Sequence, residues 1–295
     1  MNAVTHAPRP AEHAAERTSI PPFEVIRVEA NLGAEIRGLD LAGPITGELA
    51  DLLRNLLWQH QVLFFRDTGI DDAKQAEIGR VFGPPVADSI AKRKGVKDED
   101  IIPFNTGPYS NGYYGTPWHA DATYLETPYQ VSILRSVIAP DLGGDTAFSS
   151  GISAYEALSE EMKRKVEGLD AIHRPNGKAY QLIDDEKELA DYLAEYSGTA
   201  HPVVITHPFN GRKVLYVNEG FTKELVGLPE DESRELLRYL THQFYRPENI
   251  VRFKWRPGSL AIWDNRSVQH YGVADYGHAQ RQLVRIVAQG DRPQR

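Results

Sequence analysis

What most constrains the fold is a succession of short apolar or alternating runs, each about one strand long. Phe23–Val28 alternates apolar and polar residues, and Gln61–Phe65 (QVLFF) is a short apolar run. Tyr129–Ile138, Lys213–Val217, Ile250–Trp255, Ser259–Trp263 and Gln282–Ala288 read the same way. Runs of this length, rich in β-branched and aromatic residues, suit pleated strands better than helices. Helical spacing is confined to a few places. Thr46–His60 sets Leu49, Leu52, Leu53, Leu56 and Leu57 on one face. Asp71 and Asp72 open a helix that runs to Phe82 and stops at Gly83-Pro84-Pro85. Further helices are expected from Ser153 to about Glu167 and over Asp231–Tyr245, and residues 176–200 read as an insertion with a short helix. Many short strands with few helices predict a mostly β fold: an antiparallel barrel or jelly roll with helices flanking it.

Nothing in the middle of the chain separates two cores, so residues 21–295 are expected to form a single domain. Residues 1–20 combine Ala, Pro, His and charged side chains without periodicity or a secretory apolar segment, and are expected to be a disordered tail. Residues 86–116 crowd Gly, Pro, Asn, Tyr and charges together. Long irregular segments inside a domain tend to be functional, so this one is expected to be an active-site lid. A net charge of -8 argues against a nucleic-acid partner, although buried arginines can still hold a small anion. No apolar run reaches the roughly 18 residues that span a bilayer, so no membrane partner is expected. The absence of cysteine excludes disulfides and thiolate metal sites and fits a cytoplasmic location. The expected partner is a small-molecule substrate; a homo-oligomer is allowed.

The only His-x-Asp of the chain lies in Thr116-Pro-Trp-His-Ala-Asp-Ala-Thr-Tyr124. In an extended segment His119 and Asp121 share a face, because strand side chains alternate. A third ligand must come from elsewhere. His270, in Trp263-Asp-Asn-Arg-Ser-Val-Gln-His270, follows the apolar strand ending at Trp263, where a barrel would bring the segments together. Two imidazoles and one carboxylate form a facial triad with open positions, which suits non-heme iron(II). The same ligands would suit a zinc hydrolase, and surface or capping roles are the simpler alternative for any one His. The other histidines are read as structural.

Arg281-Gln-Leu-Val-Arg-Ile-Val-Ala288 is a strand with apolar residues on both faces. Arg281, Leu283, Arg285 and Val287 share one of them. A buried guanidinium is costly unless it meets an anion, and its planar fork matches a carboxylate or sulfo group. Two arginines roughly 13 Å apart along a strand call for two different anions, or for one anion and one protein carboxylate.

Trp118-His-Ala-Asp-Ala-Thr-Tyr124, Gly143-Gly-Asp-Thr146, Trp263–His270 and the pair Arg281/Arg285 follow one another with a spacing that resembles the taurine dioxygenase and 2,4-D dioxygenase (TauD/TfdA) family. The likeness extends to Gly33–Asp40, Val62–Arg66 and Ser153–Leu158, so it covers nearly everything from about residue 23 onward. The resemblance implies a double-stranded β-helix and an Fe(II)- and 2-oxoglutarate-dependent dioxygenase using O2. His119, Asp121 and His270 would be the metal ligands and catalytic centre. Arg281, helped by Thr146, would bind 2-oxoglutarate, and Arg285 would face the primary substrate. Asp121 speaks against a halogenase, in which a small residue replaces this acid. The implied reaction hydroxylates a C–H of a small anionic or zwitterionic substrate and releases succinate and CO2. A non-catalytic jelly-roll binding or sensor protein is the alternative.

The sequence departs from the taurine-specific pattern at the pocket. Asp88 and Ala91 stand where those members carry His and Tyr after the Phe-Gly corresponding to Phe82-Gly83, and Gly115 replaces an Asn. An aspartate repels a sulfonate but can pair with an amine. Asp88, Arg285 and Tyr114 are therefore the candidate substrate contacts; Tyr109, Tyr113 and Tyr114 line the pocket or pack the lid.

Overall fold

Period-two alternation in the long strands sorts the apolar side chains into two layers, one between sheets and one under helices. The computed structural model describes residues 20–98, 102–106, 117–175, 183 and 185–295. Its strands are β1 (Glu24–Arg27), β2 (Ala34–Arg37), β3 (Val62–Phe65), β4 (Ile102–Thr106), β5 (Tyr129–Ile138), β6 (Thr146–Ser150), β7 (Asp170–His173), β8 (Thr199–Pro202), β9 (Val204–Thr206), β10 (Lys213–Leu215), β11 (Thr222–Leu225), β12 (Ile250–Phe253), β13 (Leu260–Asp264), β14 (Val268–Gly272) and β15 (Arg281–Gln289). A seven-stranded sheet runs in the order β1-β2-β3-β13-β5-β15-β4, and a three-stranded sheet in the order β12-β6-β14. All neighbours are antiparallel except β2 and β3. Apart from β1-β2-β3, strands that neighbour one another in these two sheets are far apart in sequence, as in a jelly roll, where strands pair by wrapping rather than by simple hairpins.

Along β3, Val62 and Phe64 join the layer between the sheets, whereas Leu63 and Phe65 join the layer under the helices. On β13 the same split puts Ala261 and Trp263 inside and Leu260 and Ile262 outside. The inner layer is closed from the second sheet by Phe148, Val251, Phe253 and Val268, with Phe64 stacked on Phe253 at 4.3 Å. The outer layer is covered by α1 (Gly47–His60) and α2 (Asp72–Arg80). Both begin where the sequence predicts: the Thr46 hydroxyl accepts from the Leu49 amide, and the Asp71 carboxylate accepts from the Lys74 amide. Ile20, at the edge of the expected tail, packs against this layer; residues 1–19 lie outside the described residues.

Two expectations change. The helix expected from Ser153 to Glu167 is two, α4 (Gly151–Glu156) and α5 (Glu160–Val166). Ser159 starts the second, accepting from the Met162 amide with Glu160 and Glu161 in the first turn, a start signal inside an otherwise helical pattern. The expected lid is not irregular throughout. Asp88 precedes α3 (Ser89–Arg93), and β4 pairs with β15. Residues 99–101 and 107–116, with Tyr109, Tyr113, Tyr114 and Gly115, lie outside the described residues. The insertion forms α6 (Glu186–Glu195), and α7 (Glu230–His242) runs into a 3-10 turn, Gln243–Tyr245. No helix among the described residues is long and apolar enough to cross a membrane.

Leu53, on α1, is fully buried, while Leu142 is 78% exposed. Leu53→Ala is expected to lower stability by about 2–5 kcal/mol, and Leu142→Ala to stay within about 0.5 kcal/mol. Urea unfolding checks this; equal midpoints for the two variants would contradict the burial of α1.

Candidate metal and anion site

The two motif segments meet through their backbones. His119 and His270 form an isolated antiparallel bridge: the His270 amide donates to the His119 carbonyl at 2.8 Å and the His119 amide returns the bond at 3.2 Å. The side chains then stand together, with ring centroids 4.2 Å apart. His270 lies on β14 itself, not in a loop after β13. The segment from His119 is extended for only one bridge. At Asp121 it enters a turn in which Ala122 has a φ of 54°, a conformation that L-residues adopt at a cost. A continuous strand is thus not what aims Asp121. Its amide donates to the Asn265 side-chain oxygen at 3.2 Å, and its Oδ2 accepts from the Ser132 hydroxyl at 2.6 Å.

The result is a cluster of one carboxylate and two imidazoles whose ligand atoms all lie within 4.8 Å of one another. Asp121 Oδ1 is 3.7 Å from His119 Nε2 and 3.8 Å from His270 Nε2. His119 Nδ1 lies 3.0 Å from the Pro117 carbonyl. A carbonyl only accepts, so Nδ1 carries the proton and Nε2 offers its lone pair to the cluster. Phe221 meets His119 edge-on at 5.8 Å, and Trp263 lies 4.8 Å from His270. A Cβ at Gly220 would come within 2.9 Å of the His119 Cβ, so this glycine is required by close approach.

Burial alone would raise the Asp121 pKa, but Arg285 and the Ser132 bond hold it well below the usual carboxylate range. Arg285 Nη1 donates to Asp121 Oδ1 at 3.1 Å, and Arg285 Nη2 lies 3.7 Å from Asp88 Oδ2. Sequence reading allowed one arginine a protein carboxylate; Arg285 has two. Arg285 thus takes the second of the alternatives that the sequence left open, a pairing with carboxylates of the protein.

Arg281, on the same strand, sits differently. Its Nε donates to the Gly144 carbonyl at 2.9 Å and its guanidinium lies 5.9 Å from the Tyr276 ring centroid. Burial lowers its pKa, against the pull of Tyr276 and Asp145. Gly144 has a φ of 70°, and a Cβ there would meet Pro140, Arg281 and Tyr276. Asp275 accepts from the Gly144 amide at 2.8 Å, and Arg252 bridges Asp145 and Asp275 at 2.6 Å each. Thr146 follows; its hydroxyl accepts from the Trp255 indole at 2.9 Å, which leaves its own proton to donate. Tyr114 lies outside the described residues.

Several supporting residues escaped the sequence reading. Ser132 has no motif around it, and neither has Gly220. Asn265 stands inside the motif Trp263–His270 and ties it together: its oxygen accepts from Trp263 and Asp121, and its amide donates to Ser132 at 2.8 Å. Asp264 and Arg266 of the same motif are structural. Asp264, fully buried, accepts from Arg266 at 2.7 Å and meets His207 Nε2 at 2.8 Å. His173 and His201 are also buried, bound to the Thr123 hydroxyl and the Leu125 carbonyl beyond the turn.

A jelly roll that brings two histidines and an aspartate together, with an arginine of β15 bonded to the aspartate, has the donor set of the facial-triad oxygenases. The chain belongs to the Taurine catabolism dioxygenase TauD, TfdA family, whose profile matches residues 24–287. It is 35% identical to an alkylsulfatase of Acinetobacter baylyi, over 91% of this chain and 86% of that protein. It is 32% identical to an alpha-ketoglutarate-dependent sulfate ester dioxygenase of Pseudomonas putida, over 96% and 93%. Among solved structures, a taurine dioxygenase from Burkholderia xenovorans superposes with a TM-score of 0.77 at 32% identity, covering 92% of this chain and 93% of the other. The protein is an alpha-ketoglutarate-dependent dioxygenase, which removes the reading as a non-catalytic binding protein.

Asp264 gives a pH test of the scaffold. Burial opposes its charge, but Arg266 and His207 hold its pKa well below the ordinary value. A depressed carboxylate stabilises the fold above its unfolded pKa near 4, and that contribution fades as pH falls from about 5 downward. Asp264→Asn is expected to cost about 3–5 kcal/mol near neutral pH and to flatten the acid limb of the stability curve. An unchanged acid limb, followed by circular dichroism, would remove Asp264 as its source.

Proposed function

We propose that His119, Asp121 and His270 bind iron(II) and that the enzyme hydroxylates a C–H bond of a small anionic or zwitterionic organic substrate. The overall reaction consumes substrate, 2-oxoglutarate and O2 and gives hydroxylated substrate, succinate and CO2. The convergence of three ligand atoms within 4.8 Å carries this reading. The donor set fits the metal: two neutral imidazole nitrogens and one carboxylate kept ionised leave several coordination positions open. Zinc accepts the same donors but has no redox chemistry with which to serve a dioxygenase. Bound there, iron(II) would supply the redox chemistry that couples decarboxylation of 2-oxoglutarate to substrate oxidation.

The remaining work belongs to the chain's own side chains. Arg281 offers a buried fork for the distal carboxylate of 2-oxoglutarate, and the Thr146 hydroxyl has a proton to donate to the same group. Gly144 keeps the Arg281 stem in place from below. Ser132 and Arg285 hold the Asp121 carboxylate in one orientation, so that Oδ1 faces both imidazoles. Trp263, Phe148 and Phe221 wall off water around the histidines. Arg285, Asp88 and Tyr114 are proposed as substrate contacts. Relatives named for sulfate esters and alkyl sulfates support an acidic group on the substrate. We place the enzyme in the cytoplasm, acting as one domain over residues 21–295.

Succinate release from 2-oxoglutarate with iron(II) and ascorbate tests the reaction. Asp121→Ala is expected to abolish it; undiminished release at equal iron would remove the metal assignment. Arg281→Ala is expected to raise the KM for 2-oxoglutarate far more than that for the primary substrate. The reverse pattern would exchange the roles of Arg281 and Arg285.

A further inference from the structure

The polar wall beside the cluster carries charges of both signs. Asp88 is fixed by two uses of one carboxylate: Oδ1 accepts from the Ala91 amide at 3.4 Å at the start of α3, and Oδ2 lies 3.7 Å from Arg285. The helix it starts is anchored from two sides. The Ser89 hydroxyl lies 2.9 Å from the Tyr124 hydroxyl and 3.0 Å from that of Tyr192, which themselves lie 3.0 Å apart. Arg93 pairs with Glu195 and lies over the Tyr192 ring at 5.4 Å. Asp88 is therefore held against Arg285 by contacts reaching the turn after Asp121 and the inserted helix α6. Tyr129, at the start of β5, belongs to the same wall, packed with Ala122, Tyr124, Phe221 and Val287. It is 2% exposed, and its hydroxyl has no hydrogen-bond partner among the described residues. Burial raises its pKa well above the usual value, and Asp88 and Asp121 add to the rise while Arg285 opposes it, so the hydroxyl senses all three charges.

We propose that Asp88 is the specificity-determining residue of this pocket, and that with Arg285 and Tyr129 it selects a substrate bearing a cationic or hydrogen-bond-donating group beside its acidic one. The proposal rests on the dioxygenase reading above. Once Asp121 serves the metal, the Asp88 carboxylate still stands against the Arg285 guanidinium. A bare sulfate or sulfonate entering beside Arg285 gains from the guanidinium and loses to the carboxylate 3.7 Å away. A substrate with an ammonium next to its anion meets a partner of opposite sign for each, and the Tyr129 hydroxyl can accept from the ammonium. The wall thus discriminates by repulsion as well as attraction, against unadorned alkyl sulfates.

Two probes of equal length differ in the one feature at issue: pentyl sulfate and 4-aminobutyl sulfate. Their binding is measured calorimetrically to the full chain loaded with manganese(II) and 2-oxoglutarate. Wild type is expected to bind the amino sulfate at least tenfold more tightly. Asp88→Asn keeps a helix-capping oxygen but removes the charge, and Asp88→Ser serves if Asn does not fold; either is expected to erase the preference. Binding of pentyl sulfate by the variant and of neither probe by wild type would show exclusion without selection and overturn the proposal as well. Equal binding of both probes by wild type, an unchanged ratio in the variants, or no binding of either probe by any form overturns the proposal. Substrate-free succinate release from wild type loaded with iron(II) is measured alongside. Its absence counts against the dioxygenase reading, whereas its presence with no charge preference counts against Asp88 alone.

Discussion

A single buried carboxylate organises the site. Asp121 is 5% exposed, and an isolated anion at that depth would be driven to take up a proton. It stays ionised because the Ser132 hydroxyl and the Arg285 guanidinium hold it, with the two imidazoles beside them. Each comes from a different part of the chain: Ser132 from β5, Arg285 from β15, His119 from the same segment and His270 from β14. Satisfying this one group therefore draws strands of both sheets to a common point. The site is held by electrostatics at its centre and by the apolar layer of Phe64, Phe148 and Trp263 beneath it.

The sequence motif Trp263–His270 shows how little of a motif faces the His119, Asp121 and His270 cluster. Trp263 packs in the inner layer and donates to Asn265. Asp264 and Arg266 form a buried ion group with His207. Asn265 ties Asp121 to Ser132. Only His270 faces the ligand cluster. The motif's rigidity has a physical purpose: a metal ligand placed an ångström astray loses much of its value, and the residues between Trp263 and His270 remove that freedom.

Elements that declare themselves locally were legible in the sequence. The long strands β5 and β15 carry apolar residues on both faces, and α1 and α2 carry their caps at Thr46 and Asp71. Strands β6 and β14 were not legible as strands, because their buried residues are polar and find partners far away in sequence. Ser149 donates to the Phe244 carbonyl, Ser150 to Gln61 and Gln269 to the Val217 carbonyl. A local pattern of Ser and Gln reads as loop when its compensation lies outside the window. The triad was legible as residues, through spacing and family resemblance, but not as geometry. No periodicity announces a turn at Ala122, or a glycine at 220 that makes room for His119.

The contrast between Arg281 and Arg285 follows from the same distinction between a residue and its surroundings. Both lie on one face of β15, and residue type alone makes them equivalent. Arg285 stands between two carboxylates, so burial and Coulomb attraction act on it in opposite senses and its pKa is raised above the ordinary value. Arg281 has a carbonyl and an aromatic ring as its near neighbours, and burial lowers its pKa. A ligand carboxylate therefore relieves more desolvation at Arg281 than at Arg285. That difference supports the proposal that the dianionic cosubstrate binds at Arg281. At Arg285, under the same proposal, an incoming anion would compete with the carboxylates of Asp121 and Asp88 already in place.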